Sequence, residues 1–140
     1  ALRDWGHARD YAEMQWLMLQ NKVPTDYVIS TGKQYSIKNF IQMCLKDMGI
    51  QVLWKGKGLE EVAIIKSFPT NKNYKIKKGQ IIIKVNKKYF RPLEVNSLLG
   101  DSSKARKELK WKNKYTINQL VSEMLSHDYQ RLKNKVENDY

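Results

Sequence analysis

Hydrophobic and polar positions follow two different periods along this chain, and each period predicts its own kind of element. Apolar residues recur at helical spacing over His7–Gln20, over Ile37–Met48 and from Ile117 onward. Short runs rich in β-branched residues predict strands at Tyr27–Ser30, Ile50–Trp54, Val62–Ile65 and Gln80–Val85. Helices that alternate with strands in this way predict an α/β fold.

Residues with capping chemistry mark the ends of the predicted helices. Ser36 is predicted to cap the second helix at its start, and Gly49 is predicted to end it. Thr116 and Gln119 have the spacing of a capping box for the last helix. A shorter helix is predicted directly after Asp101. Local chemistry therefore supports the same boundaries as the hydrophobic pattern.

Length and composition suit one small folded domain. The chain has 140 residues, of which 41% are hydrophobic, and we predict a domain over 1–128 with a polar tail over 129–140. No run approaches the roughly 20 apolar residues that cross a bilayer, so no membrane segment is predicted. The single cysteine, Cys44, excludes an internal disulfide, suits a reducing cytoplasm and lies on an apolar helix face, which predicts a core thiol.

The formal net charge of +12 raises the question of nucleic-acid binding. The lysines are dispersed along the chain, however, and they outnumber the arginines that read bases and phosphates best. This pattern favours a solvated basic surface, or attraction of a small anionic ligand, over nucleic-acid binding.

The octet Lys88–Val95 combines groups that suit an anion clamp. Arg91 offers a planar fork of donors for phosphate oxygens, and Pro92 stiffens the backbone beside it. Glu94, about one helical turn from Arg91 if Pro92 opens such a turn, could accept hydrogen bonds from sugar hydroxyls. The octet alone leaves a second interpretation open, in which Arg91 and Glu94 simply pair with each other.

A polar and aromatic motif, Arg3-Asp4-Trp5-Gly6, stands almost at the start of the sequence. A domain that begins in this way suggests a longer protein. Arg3 could be a second phosphate donor or could lie in solvent. His7 is predicted to be a hydrogen-bonding surface histidine, because no Cys or His stands at metal-ligand spacing.

Five motifs in order resemble the C-terminal part of the GDP-mannose 4,6-dehydratases, a family of extended short-chain dehydrogenases/reductases. They are Arg3–Tyr11, Met14–Gln20, Tyr27–Gly32, Tyr89–Val95 and Leu98–Asp101. The resemblance covers residue 1 to about residue 128, and five motifs with matching spacings are a strong signal. One departure is Lys110, which stands where the family usually has glycine before tryptophan.

The resemblance implies that part of the enzyme is absent from this sequence. In the family, an N-terminal Rossmann half binds NADP and carries the catalytic threonine or serine, the glutamate and a Tyr-x-x-x-Lys pair. No G-x-G-x-x-G follows a predicted strand here, and Tyr74 with Lys78 matches the tyrosine–lysine spacing only in a predicted loop. The chain is expected to hold substrate and to contain no catalytic, cofactor-binding or metal-binding residue.

The resemblance also implies roles for individual side chains. Arg3 resembles the family's arginine on the pyrophosphate of the sugar nucleotide, Arg91 its second phosphate-side arginine, and Glu94 the carboxylate that binds the ribose. These roles favour the clamp over the structural pair. Asp4 and Trp5 are expected to fix Arg3 and to pack the domain junction.

The function implied by the resemblance is positioning of the GDP moiety. The family converts GDP-mannose to GDP-4-keto-6-deoxy-mannose by hydride abstraction at C4, loss of water across C5 and C6, and return of the hydride to C6. The expected partners are GDP-mannose, the Rossmann half and further copies of the enzyme, in the cytoplasm. The alternative is a non-enzymatic basic module that binds nucleotides or nucleic acid.

Overall fold

The structure, a computed structural model, describes residues 1–91 and 93–138 as two units. The first unit combines Ala1–Phe40 with the chain from Val95 onward, and the second is Ile41–Glu94. In chain order the helices are α1 (Ala8–Leu19), α2 (Ile37–Asp47), α3 (Ser103–Glu108) and α4 (Ile117–Asn138). The strands are β1 (Leu2–Asp4), β2 (Gln34–Ser36), β3 (Gln51–Lys55), β4 (Val62–Ser67), β5 (Ile81–Lys84) and β6 (Ser97–Leu98). The predicted α/β class is confirmed.

The first unit holds a three-stranded sheet in which β1 is central. β2 pairs with β1 in the antiparallel sense, and β6 pairs with it in the parallel sense. Arg3 therefore lies opposite Tyr35 on one side and Leu98 on the other. Parallel neighbours need a long connection, and here the connection contains the whole second unit.

The core of the first unit lies between α1, α3 and the segment that follows α3. Met14, Ala105 and Trp111 are buried there, with Leu17 and Leu109 packed against them. The helical spacing predicts a well-buried α1 whose apolar face includes Trp16 and Leu19, but these two side chains are 60% and 81% exposed, and Met14, at the side of that face, is buried instead.

The second unit is built on an antiparallel sheet in the order β3-β4-β5. Ala63 and Ile65, two positions apart on β4, are buried, as period-two alternation requires. Leu45 near the end of α2 and Ile50 just before β3 are buried as well. Three of the predicted strands, at Ile50–Trp54, Val62–Ile65 and Gln80–Val85, are thereby confirmed.

The predicted caps are present with their side-chain bonds. The Asn39 backbone N–H donates to Ser36 Oγ at 3.0 Å, and Gly49 ends the helix region with φ of +75°. The capping box is reciprocal, since Thr116 N–H donates to Gln119 Oε1 at 2.8 Å and Gln119 N–H to Thr116 Oγ1 at 3.3 Å. α4 continues to Asn138, and the predicted division at residue 128 stays a prediction.

The predicted strand at Tyr27–Ser30 is wrong, because this segment joins neither sheet. Its hydrogen bonds go to other groups instead. The Ser30 carbonyl oxygen accepts from Ser102 Oγ at 3.0 Å, and Ser30 Oγ donates to the Gly100 carbonyl oxygen at 2.8 Å. These side-chain bonds replace a strand ladder and hold the chain before α3.

None of the helices in the described part of the chain is long and apolar enough to cross a membrane.

Lys110 occupies a backbone conformation that favours glycine. Its φ is +55°, in the left-handed region just past the end of α3, at the position where the sequence resemblance leads one to expect glycine. Lys110→Gly is therefore expected to raise the free energy of unfolding by about 0.5–1 kcal/mol, measured by urea denaturation. Lys110→Ala is the matched control, because it removes the charge and keeps the Cβ. Equal stabilisation by both variants would show that charge, not backbone strain, is responsible.

Candidate functional site

Arg91 and Glu94 lie together on the exposed segment after β5. Arg91 Nη1 is 3.7 Å from Glu94 Oε2, and the two side chains are 81% and 36% exposed. The Glu94 backbone N–H also donates to the Arg91 carbonyl oxygen at 3.3 Å, which keeps the two residues one turn apart. Pro92, between them, lies outside the described residues. An ion pair this long, with one partner this exposed, is worth little.

The side chain of Arg3, the middle residue of β1, is held by backbone oxygens. Its Nη1 donates to the Leu2 carbonyl oxygen at 2.7 Å and to the Val95 carbonyl oxygen at 2.8 Å. Leu2 N–H donates to the Asn96 carbonyl oxygen at 2.7 Å beside them. Val95 is the residue directly after Glu94 in the chain. Arg3 is therefore tied to the segment that immediately follows the octet's carboxylate.

Asp4 and Trp5 make hydrogen bonds that hold the backbone next to Arg3, and the packing of a domain junction expected of them stays a prediction. Asp4 accepts from Thr31 N–H, Thr31 Oγ1 and Gly32 N–H at 2.9, 2.6 and 2.8 Å. Trp5 Nε1 donates to the Tyr35 carbonyl oxygen at 3.2 Å. The C-terminal end of β1 is thus bonded both to the turn before β2 and to β2 itself.

A cavity of about 400 Å³ opens beside Arg3 in the first unit. Its walls are Arg3, Asp4, Tyr11, Ile29, Ser30, Leu98, Leu99 and Gly100. Burial, followed by the nearby charges of Asp4 and Asp10, raises the pKa of Tyr11, so its phenol is neutral at pH 7. Arg3 belongs to the first unit, and Arg91 and Glu94 to the second. Their convergence on one ligand stays a prediction.

The described residues do not fit a dinucleotide. Gly56 and Gly58 follow β3, but Glu61 occupies the position of the third glycine of the fingerprint, and the strand β4 follows in place of a helix. A Cβ at Gly56 would overlap the Glu60 carbonyl oxygen, so this glycine serves a tight turn. Among the side chains that the structure describes, no group of three His, Cys, Asp or Glu could hold a metal.

Cys44 has the properties of a packed thiol. Burial, followed by the charge of Asp47, raises the pKa of Cys44, so little thiolate exists at neutral pH. Cys44 is only partly buried, so it lies at the side of the core, and its raised pKa agrees with the prediction that it is not a nucleophile.

One buried polar cluster, which contains His7 and Asp10, was not predicted from the sequence. His7, predicted to be a surface residue, is only 6% exposed, and Asp10 is 1% exposed. Asp10 accepts from the backbone N–H groups of Lys114 and Tyr115, at 3.1 and 3.2 Å. The only sequence signal was a carboxylate four residues before Met14, on the apolar face of the predicted helix. A buried carboxylate needs donors, and here they lie about a hundred positions away in the chain.

Comparison with known proteins identifies the family. The sequence profile described as GDP-mannose 4,6 dehydratase matches residues 1–124. The chain belongs to this family, and the resemblance found in its motifs is confirmed.

Curated relatives match along nearly the whole chain. The GDP-mannose 4,6-dehydratase of Vibrio cholerae serotype O1 is 51% identical over 131 residues, 94% of this chain and 35% of that protein. The enzyme of the same name from Yersinia enterocolitica is 45% identical over 133 residues, 95% of this chain and 36% of that protein. The human GDP-mannose 4,6 dehydratase is 39% identical over 133 residues, 95% of this chain and 33% of that protein.

The chain spans about a third of the length of these relatives. The family assignment gives no support to the alternative of a non-enzymatic module that binds nucleic acid.

Proposed function

We propose that this chain positions the GDP moiety of GDP-mannose in a GDP-mannose 4,6-dehydratase. In this proposal Arg3 and Arg91 hold the pyrophosphate, and Glu94 accepts hydrogen bonds from the ribose hydroxyls. The observation that carries it is the exposed Arg91–Glu94 pair, which presents a guanidinium fork and a carboxylate on one segment. These two groups suit the phosphate and the ribose of a nucleotide respectively.

The surroundings of Arg3 support the same proposal. Its guanidinium is bonded to the carbonyl oxygen of Val95, next in the chain to Glu94. Asp4 and Trp5 anchor the backbone on either side, so the guanidinium is held without needing a ligand to order it. A preorganised cation binds an anion with a smaller loss of entropy than a free side chain.

The contribution to catalysis would be orientation. A sugar nucleotide held at its pyrophosphate presents its hexose in a fixed position, and orientation alone can lower a barrier by several kcal/mol. We propose that the hydride chemistry uses NADP bound outside this chain, by a Rossmann half, since the described residues lack the fingerprint for it. The isolated chain is then inactive as a lyase, and the active enzyme is a cytoplasmic homo-oligomer.

The test is a calorimetric titration of GDP into the 140-residue chain at moderate salt. Arg91→Ala is expected to weaken GDP binding about 10- to 100-fold, because hydrogen bonds to a charged group are worth about 1.5–3 kcal/mol. Arg91→Lys should give an intermediate value, since it keeps the charge and loses the fork. Arg3→Ala should weaken GDP binding by a comparable factor and should leave the binding of uncharged guanosine unaffected.

Lys88→Ala is the matched control, because Lys88 is an exposed cation in the same octet. It removes one charge from a chain of net charge +12 and should change GDP affinity about twofold or less. The clamp is contradicted if Arg91→Ala binds GDP as the unaltered chain does, or if the unaltered chain binds no GDP at millimolar concentration.

A further inference from the structure

The imidazole of His7 joins α1 to α4 through both of its nitrogens. His7 is the N-cap residue of α1, and its Nδ1 accepts from the Arg9 backbone N–H at 3.1 Å. Its Nε2 lies 3.0 Å from Glu123 Oε2 on α4. The ring stacks on Tyr115, with centroids 4.1 Å apart and planes inclined by 17°. All of these contacts lie within the first unit.

These contacts determine which nitrogen carries the proton. A backbone N–H can only donate, so the Nδ1 that caps α1 must present a lone pair. The proton of the neutral ring is therefore on Nε2, where it is donated to the Glu123 carboxylate. An exchange of the two nitrogens would place an N–H against the Arg9 N–H and would leave Nε2 without a proton for Glu123.

We propose that His7 is a proton-operated switch between two ways of fastening the start of α1. In the neutral ring, Nδ1 caps the helix and Nε2 donates to Glu123. A second proton must enter at Nδ1, where it meets the Arg9 N–H, so the cap is lost. The same proton converts the hydrogen bond to Glu123 into an ion pair. Acid thus loosens the first turn of α1 and strengthens its attachment to α4.

The charged groups around the ring are consistent with the replacement of the helix cap by an ion pair to Glu123. Glu123 faces Nε2, and the hydrogen bond from His7, followed by the charge of Arg9, lowers the pKa of Glu123. Glu123 therefore stays ionised from about pH 8 to pH 5, the range in which imidazoles titrate. Arg9 also reaches Glu123, with Nη2 3.3 Å from Oε1, and would compete with a protonated ring for this carboxylate. Asp10 on the same helix is already occupied by the N–H groups of Lys114 and Tyr115.

This inference does not depend on the proposed nucleotide site. Arg3 is fastened through Asp4 and Trp5, upstream of His7, by bonds that the imidazole does not make. The switch therefore concerns the attachment of α1 to α4. GDP affinity and the state of His7 can be measured separately on the same chain.

Nitrogen-15 NMR of the 140-residue chain tests the switch directly. Long-range imidazole spectra at pH 8 should show His7 as the Nε2–H tautomer. As the ring gains its second proton, the hydrogen-exchange protection factor of the Arg9 amide should fall about fivefold, the loss expected for a helix cap. His127 is 74% exposed and lies 3.5 Å from Asp128, and it caps no helix, so it supplies an internal comparison for the signals of the second imidazole.

His7→Asn is the matched variant, because asparagine caps helices well and does not titrate in this range. The Arg9 amide of this variant should keep its protection from pH 8 to pH 5, with GDP affinity unchanged. The switch is overturned by a His7 ring in the Nδ1–H tautomer at pH 8. It is also overturned by equal loss of Arg9 protection in His7→Asn, or by unchanged protection in the native chain after the ring is protonated.

Discussion

Trp111→Ala is expected to lower the free energy of unfolding by about 3–5 kcal/mol, the range for large aromatic residues removed from a core. Trp111 is 1% exposed and packs with Met14 and Ala105. Its Nε1 donates to the Asp10 carbonyl oxygen at 2.9 Å, and the Arg106 guanidinium lies over its ring at 5.4 Å. Truncation would leave a cavity between α1 and α3 and would remove this hydrogen bond. Urea denaturation followed by circular dichroism at 222 nm measures the loss.

Trp16→Ala supplies the matched control, since Trp16 is a tryptophan of the same unit that is 60% exposed. It should change stability by no more than about 0.5 kcal/mol. Trp111→Phe refills most of the space but does not restore the N–H donor. Its loss in the free energy of unfolding should therefore lie between those of Trp111→Ala and Trp16→Ala. Similar values for Trp111→Ala and Trp16→Ala would refute the assignment of Trp111 to the core.

Asp10→Asn is expected to lower the free energy of unfolding by about 3 kcal/mol, the scale of hydrogen bonds to a buried charge. Both carboxylate oxygens of Asp10 accept from Lys114 N–H, at 3.1 and 3.2 Å, and Oδ2 also accepts from Tyr115 N–H. Asparagine has the same shape, but an NH₂ group replaces one of the two carboxylate oxygens. Whichever orientation it takes, a donor then faces a backbone donor in a buried site.

The comparison variant is Asp26→Asn, which changes an exposed aspartate of the same unit. Its effect should be within about 0.5 kcal/mol. Amide hydrogen exchange adds a local measurement, because Asp10→Asn should speed exchange at Lys114 and Tyr115 in particular. Unaltered exchange at these two amides would show that they do not depend on the carboxylate.

Elements with local signals were predictable from the sequence. The second helix has its cap at Ser36 and its glycine stop at Gly49, and the structure shows both. The capping box at Thr116 was equally visible, because its partner Gln119 is three residues away. The strand predicted at Tyr27–Ser30 failed, since β-branched composition cannot say whether a neighbouring strand is available. There the backbone oxygen of Ser30 is taken by a serine hydroxyl from a distant segment.

The site was predictable only in part. Arg91 and Glu94 are three residues apart, so their proximity followed from the sequence, and the structure shows it at 3.7 Å. The bond from Arg3 to the Val95 carbonyl oxygen joins positions 92 residues apart, and no local pattern encodes it. The hydrogen bond between His7 and Glu123 is a similar case, because it joins positions 116 residues apart. Such pairs arise from the fold as a whole, and the residues alone left Arg3 open between a phosphate donor and a solvent-exposed arginine until the family resemblance favoured the first.

The central position of β1 in its sheet has an architectural consequence. The chain departs toward Ile41–Glu94 from β2 and comes back into β6, and these two strands flank β1. Ser36 and Ser97, the ends of these strands nearest the inserted segment, both lie opposite Leu2, and since adjacent strands are about 4.8 Å apart, these two residues are separated by only about 10 Å. A graft of foreign sequence between them would need to bridge no more than this gap. The host sheet would keep its register, since the register is set by pairs that the inserted unit does not supply.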